Sequence, residues 1–193
     1  MSQQVVLFHS GLGLRPAVLD FAERLRAEGH TVHTPDLFDG EVFSSLEEGA
    51  RKRDEVGIPG LVSRATESIS GLPPGLVFAG FSMGAAAAEF LAATSPGAKA
   101  AILMHGALAP AGFGVEAWPR HVAVQVHYAE KDQLADPEGV GALSKQARGA
   151  GARIDVHTYP GGGHLFADDG LDEYDPEAAA LMLRRVLGFL AEV

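Results

Sequence analysis

Short apolar runs alternate with amphipathic stretches along the chain, the pattern of strands and helices taken in turn. Val5 to His9 reads as a first strand. Residues 16–28 set Leu19, Ala22, Leu25 and Arg26 at three- and four-residue spacing, which predicts a helix with Pro16 in its first turn and Gly29 past its end. Thr31 to Thr34 predicts a second strand, stopped by Pro35. Residues 36–57 mix Phe38 and Phe43 with Asp, Glu and Gly, and predict loop plus a short helix. A further helix is expected over 60–69, broken by Gly71-Leu-Pro-Pro-Gly.

Leu76 to Phe81 is the next predicted strand and 83–93 the helix after it. Strands are expected at 100–104, 122–128 and 154–158. Asp136-Pro137 opens a helix to about Arg148, and Asp175-Pro176-Glu177 caps a helix running to the C-terminus. This alternation predicts an α/β fold, a three-layer α/β/α sandwich around a mostly parallel sheet. With no linker, repeat or low-complexity tract, residues 1–193 are expected to form one domain.

Composition narrows the function classes. Hydrophobic residues make up 47% of the chain, enough for a full core. A net charge of −10 argues against nucleic acid or an anionic membrane surface as partner. The absence of cysteine removes disulfides, thiolate metal sites and a cysteine nucleophile. Neither a leader-like segment nor an apolar run of membrane-spanning length stands in the sequence, so a cytoplasmic monomer or homodimer without cofactor or metal is expected.

Gly80-Phe-Ser-Met-Gly84 lies between an apolar strand pattern and an Ala-rich helical one. That context makes Ser82 the apex of a strand–turn–helix elbow, with glycines letting the two elements cross closely. A serine hydroxyl needs a base, and the base needs an acid to orient it. Both stand just past later strands: Asp132 after 122–128, with Glu130 and Asp136 as rivals, and His164 after 154–158. Asp136 better suits a helix cap. An oxyanion would be held by the Met83 N–H and by a second N–H, of Gly11 or Leu12, in the loop after the first strand. That loop lacks the third glycine of a dinucleotide fingerprint, where Pro16 stands instead. His105 ends the strand after the elbow helix and should face the cleft, while Trp118 either walls an apolar pocket or anchors its loop. His30-x-x-His33 has metal-like spacing but no carboxylate or thiolate company, and reads as structural.

Five segments together resemble the dienelactone hydrolase family of α/β-hydrolases: His9-Ser-Gly-Leu-Gly, Thr34-Pro-Asp-Leu-Phe, Gly80-Phe-Ser-Met-Gly, His127-Tyr-Ala-Glu-Lys-Asp and Tyr159-Pro-Gly-Gly-Gly-His-Leu-Phe. The fifty residues from Ser82 to Asp132 and the thirty-two from Asp132 to His164 are similar to the family's spacings. The resemblance implies a compact α/β-hydrolase core without a large cap. It also implies hydrolysis of a small ester or lactone, with thioesterase, peptidase or a non-catalytic binding protein as rival uses of the fold. The namesake enzymes carry a cysteine where Ser82 stands, and a glutamate where Ser10 stands, which sets Ser10 among the substrate-side candidates. Their substrate carboxylate is held by arginines, for which Arg51 or Arg53 is the counterpart on one side. Asp168 occupies the other arginine position, so a substrate other than dienelactone is expected.

Overall fold

The computed structural model describes all 193 residues. Six strands form one sheet: β1 Gln4–Phe8, β2 Thr31–His33, β3 Leu76–Phe81, β4 Ala100–Met104, β5 Ala123–Ala129 and β6 Ile154–Tyr159. Their order is β2-β1-β3-β4-β5-β6, and every neighbouring pair is parallel. Five α-helices connect or follow them: α1 Pro16–Ala27, α2 Leu46–Ser68, α3 Met83–Thr94, α4 Pro137–Ala150 and α5 Pro176–Glu192.

Side chains alternate across the pleat, so both faces of the strands must be covered. Val6 and Phe8 of β1 and Phe78 of β3 join α2, α3 and α4 in one core, which includes Leu61, Ala88 and Leu143. Val5 and Leu7, with Val77 and Ala79, join α1 and α5 in the other, through Leu25, Met182 and Phe189. The predicted sandwich is the observed one.

The connection after β1 turns toward β2 through α1, whereas that after β3 turns toward β4 through α3. The loops diverge between β1 and β3 and leave a crevice at the C-terminal edge of the sheet, where open parallel sheets place their ligands.

The predicted short helix within 36–57 and the helix over 60–69 form one kinked element. Ser45 caps α2 by accepting the Glu48 N–H, and Gly57, at φ 71° and ψ 156°, breaks the helix in the middle. Pro59 then fits the first turn of the second arm, where its missing N–H costs no bond. Asp136 and Asp175 cap α4 and α5 as their Asp-Pro pairs predict. No helix is long and apolar enough to cross a membrane.

Candidate active site

The elbow is built by close backbone approach. A Cβ on Gly80 would lie 2.0 Å from the Gly84 carbonyl oxygen, and one on Gly84 would lie 2.4 Å from that of His9. Any side chain there would drive β1, β3 and α3 apart. Ser82 sits between them at φ 53° and ψ −112°, a strained conformation for a residue with a Cβ. Its N–H donates to the Met104 carbonyl at 2.8 Å, tying the apex to the end of β4.

Three side chains from separate loops meet at this point. Ser82 Oγ lies 2.7 Å from His164 Nε2, and His164 Nδ1 lies 2.7 Å from Asp132 Oδ2. An ionised carboxylate accepts only, so Nδ1 carries the proton and Nε2 is left as the acceptor for the serine hydroxyl. The Leu134 N–H donates to Asp132 Oδ1 at 2.8 Å, which fixes the carboxylate plane. The Asp132 side chain is 1% exposed and that of His164 8%.

Glu173 holds the histidine loop from beneath. Its carboxylate accepts the N–H of His164 at 2.9 Å and that of Leu165 at 2.8 Å. Asp168 closes the same loop onto Arg15, whose guanidinium bonds both carboxylate oxygens and reaches the Phe43 carbonyl. The sequence carried no signal for Glu173 beyond its position nine residues past His164.

The loop after β1 lies across the crevice. The Leu12 N–H donates to Ser10 Oγ at 3.2 Å, and Leu12 is buried. Gly11 lines the cleft beside Ser82 and Met83. His9 fixes the loop's base: its Nε2 accepts the Leu37 N–H, and Nδ1 meets the Ser10 carbonyl. Burial lowers its pKa, so it stays neutral. Gly49 of α2 packs so closely that a Cβ would fall 1.9 Å from the Gly11 carbonyl oxygen.

The cleft above Ser82 has a volume of about 710 Å3. His105 lines it, held at φ 69° with its ring against Phe81 and Phe166. Burial, with a smaller push from His164, lowers the His105 pKa to about 3, and its Nδ1 has no partner. Arg53, Asp54 and Asp136 stand at the rim with the exposed side chains of Ile58, Leu108 and Leu134.

Three sequence expectations for the substrate side are corrected. Trp118 is 2% exposed, packs in the core and donates its indole N–H to the Val122 carbonyl, so it anchors its loop. Arg51 points into solvent and pairs with Glu47 one helical turn away; of the two arginines, Arg53 lines the cleft. Ser10 is buried, and its hydroxyl is engaged by Leu12 rather than turned to the cleft. His30 accepts the Gln3 N–H, and no group of metal-binding side chains is present.

The description of the dienelactone hydrolase family matches residues 2–193. Among solved structures, a Klebsiella pneumoniae protein described as a candidate dienelactone hydrolase is similar at 21% identity over all of this chain and 88% of its own, with a TM-score of 0.78. A dienelactone hydrolase-like promiscuous phosphotriesterase from metagenomic libraries is similar at 23% identity over 98% and 86%, with a TM-score of 0.80. The esterase PE8 is similar at 20% identity over 100% and 93%, with a TM-score of 0.67. These likenesses show a shared α/β-hydrolase fold. A comparison with curated proteins finds no match.

Proposed function

This chain belongs to the dienelactone hydrolase family and is a hydrolase, and from that premise we propose that it cleaves a carboxylic ester or lactone through an acyl-enzyme on Ser82. The observation that carries the proposal is the unbroken hydrogen-bond chain from Ser82 through His164 to Asp132, open at its serine end to the cleft.

In this reading Ser82 Oγ attacks the carbonyl carbon as its proton passes to His164 Nε2. The imidazolium is stabilised by Asp132. The developing oxyanion is held by the Met83 N–H, at the start of α3, and by the Gly11 N–H, since that of Leu12 is taken by Ser10. Each such donor lowers the barrier by on the order of 3 kcal/mol. Collapse of the adduct expels the alcohol, which takes the proton from Nε2. Water, deprotonated by the same nitrogen, then releases the acid and restores the serine.

The cleft suits an uncharged ester with an apolar part. Ile58, Leu108 and Leu134 offer apolar surface at the rim, and Arg53 is paired with Asp54. Arg15, the other arginine near the loops, is committed to Asp168. With Asp136 added, the rim holds more negative than positive charge and repels a carboxylate-bearing substrate.

Labelling with a fluorophosphonate, followed by peptide mapping, tests the reading. Modification of Ser82 in the wild type, and its loss together with p-nitrophenyl ester turnover in folded Ser82→Ala and His164→Ala, are expected. An unmodified Ser82 in folded wild-type protein, or full turnover in either variant, contradicts it.

A further inference from the structure

Inside α3, two turns beyond Ser82, a carboxyl group is shut away from water. Glu89 is 0% exposed. Its Oε2 accepts the Leu108 N–H at 2.9 Å, and its Oε1 is buried with no partner. A buried carboxyl costs stability that an apolar side chain of similar volume would not. The only group it engages is a main-chain donor in the loop after β4, whose residues Gly106, Ala107 and Leu108 line the cleft.

That loop is fixed at its other end as well. The N–H groups of His105 and Gly106 both donate to the His127 carbonyl, at 2.7 and 3.2 Å. At this first anchor the backbone takes unusual conformations, with φ 69° at His105 and 125° at Gly106. Such a segment keeps its shape only when both ends are held. Releasing the Leu108 N–H would free the end that carries the apolar wall.

We propose that Glu89 is a positioning residue: from within the helix that begins at the nucleophile, its carboxyl fixes the Ala107–Leu108 wall against which the apolar part of the ester lies. The proposal rests on the ester-hydrolase reading for its substrate and on the Glu89–Leu108 bond for its geometry. The acid does not touch substrate. It sets the distance between the wall and Ser82, because α3 carries both the nucleophile and the clamp. Burial raises the Glu89 pKa to about 8, against the opposing pull of the Leu108 N–H. No charged side chain of β1, β3, β4, α2 or the Pro110–Phe113 turn, which surround the helix, contributes to that shift. At neutral pH the clamp is therefore the uncharged acid, whose shape glutamine reproduces.

Glu89→Met keeps the volume and removes the acceptor, whereas Glu89→Gln keeps both. KM for p-nitrophenyl hexanoate is expected to rise about fivefold in E89M, with a smaller change in kcat, and to return to within about twofold of wild type in E89Q. Amide hydrogen exchange reads the same clamp without substrate: the Leu108 N–H is expected to exchange about tenfold faster in E89M and at the wild-type rate in E89Q. An unchanged KM and unchanged Leu108 exchange in E89M overturn the proposal, as does a Gln variant as impaired as the Met variant. If the wild type hydrolyses no ester, the function reading fails separately and the Leu108 exchange alone decides the clamp.

Discussion

The carboxylate of Glu173 accepts the main-chain N–H of His164, so the imidazole of the hydrogen-bond chain is aimed by a residue that does not belong to it. A second bond to the Leu165 N–H makes the grip two-pronged. Glu173→Ala leaves two donors without their acceptor and lets the loop drift. A loss of about 1–3 kcal/mol in stability is expected, together with a fall in kcat that exceeds any change in KM. Denaturant melts beside steady-state kinetics check both parts.

Asp132→Asn tests the tautomer argument. An amide can donate N–H to Nδ1, which selects the tautomer with the proton on Nε2, and that nitrogen no longer accepts from Ser82. A decrease in kcat on the order of 10⁴ is expected with the fold intact. Circular dichroism and ester turnover on the same sample decide it.

Gly49 makes a prediction for the oxyanion side. Gly49→Ala places a methyl group where the Gly11 carbonyl already stands, 1.9 Å away, and displaces the loop after β1. With one donor misplaced, kcat is expected to fall about 10²-fold. The rate of Ser82 labelling by a fluorophosphonate, which also needs that donor, should fall with it.

Stability should respond to pH through Glu89. Its carboxyl titrates near 4.5 in the unfolded chain and at about 8 when folded. Between those values the folded state holds a proton the unfolded state lacks. The contribution is fully present below 4.5 and is lost as pH rises through 8, with a slope of at most about 1.4 kcal/mol per pH unit. His105 works in the opposite sense, because its folded pKa lies near 3 and below the ordinary 6.5. Its contribution is present above 6.5 and lost as pH falls. Glu89→Gln should therefore remove the decline between about pH 4.5 and 8 and leave the profile below 4.5 unchanged, as thermal melts across the pH range would show.

The sheet and the elbow were legible because their signals are local. Apolar runs bounded by Gly and Pro mark the strands, and Asp136-Pro137 and Asp175-Pro176 mark helix starts. Ser82, Asp132 and His164 each stand just past such a run, so topology alone carries them to one edge. What lay beyond reach depends on direction within an element. Arg51 and Arg53 are two residues apart, and only the helical phase of α2 decides which one meets the cleft. Trp118 lies in a loop whose path no periodicity sets, and the core claimed it. Glu89 sits among alanines in an apolar helix, where a single acidic letter gives no sign of the loop it grips. The Leu12 N–H is engaged by the Ser10 hydroxyl, a bond that becomes visible only in three dimensions.

Because all six strands point the same way, the turns at the opposite end of the sheet lie away from the cleft. The Gly71–Gly75 and Pro96–Ala98 bends lie there, remote from the mouth. A tether, a fluorescent tag or a fused partner joined through those bends would leave substrate entry unobstructed, which makes that end the natural handle for immobilising the protein.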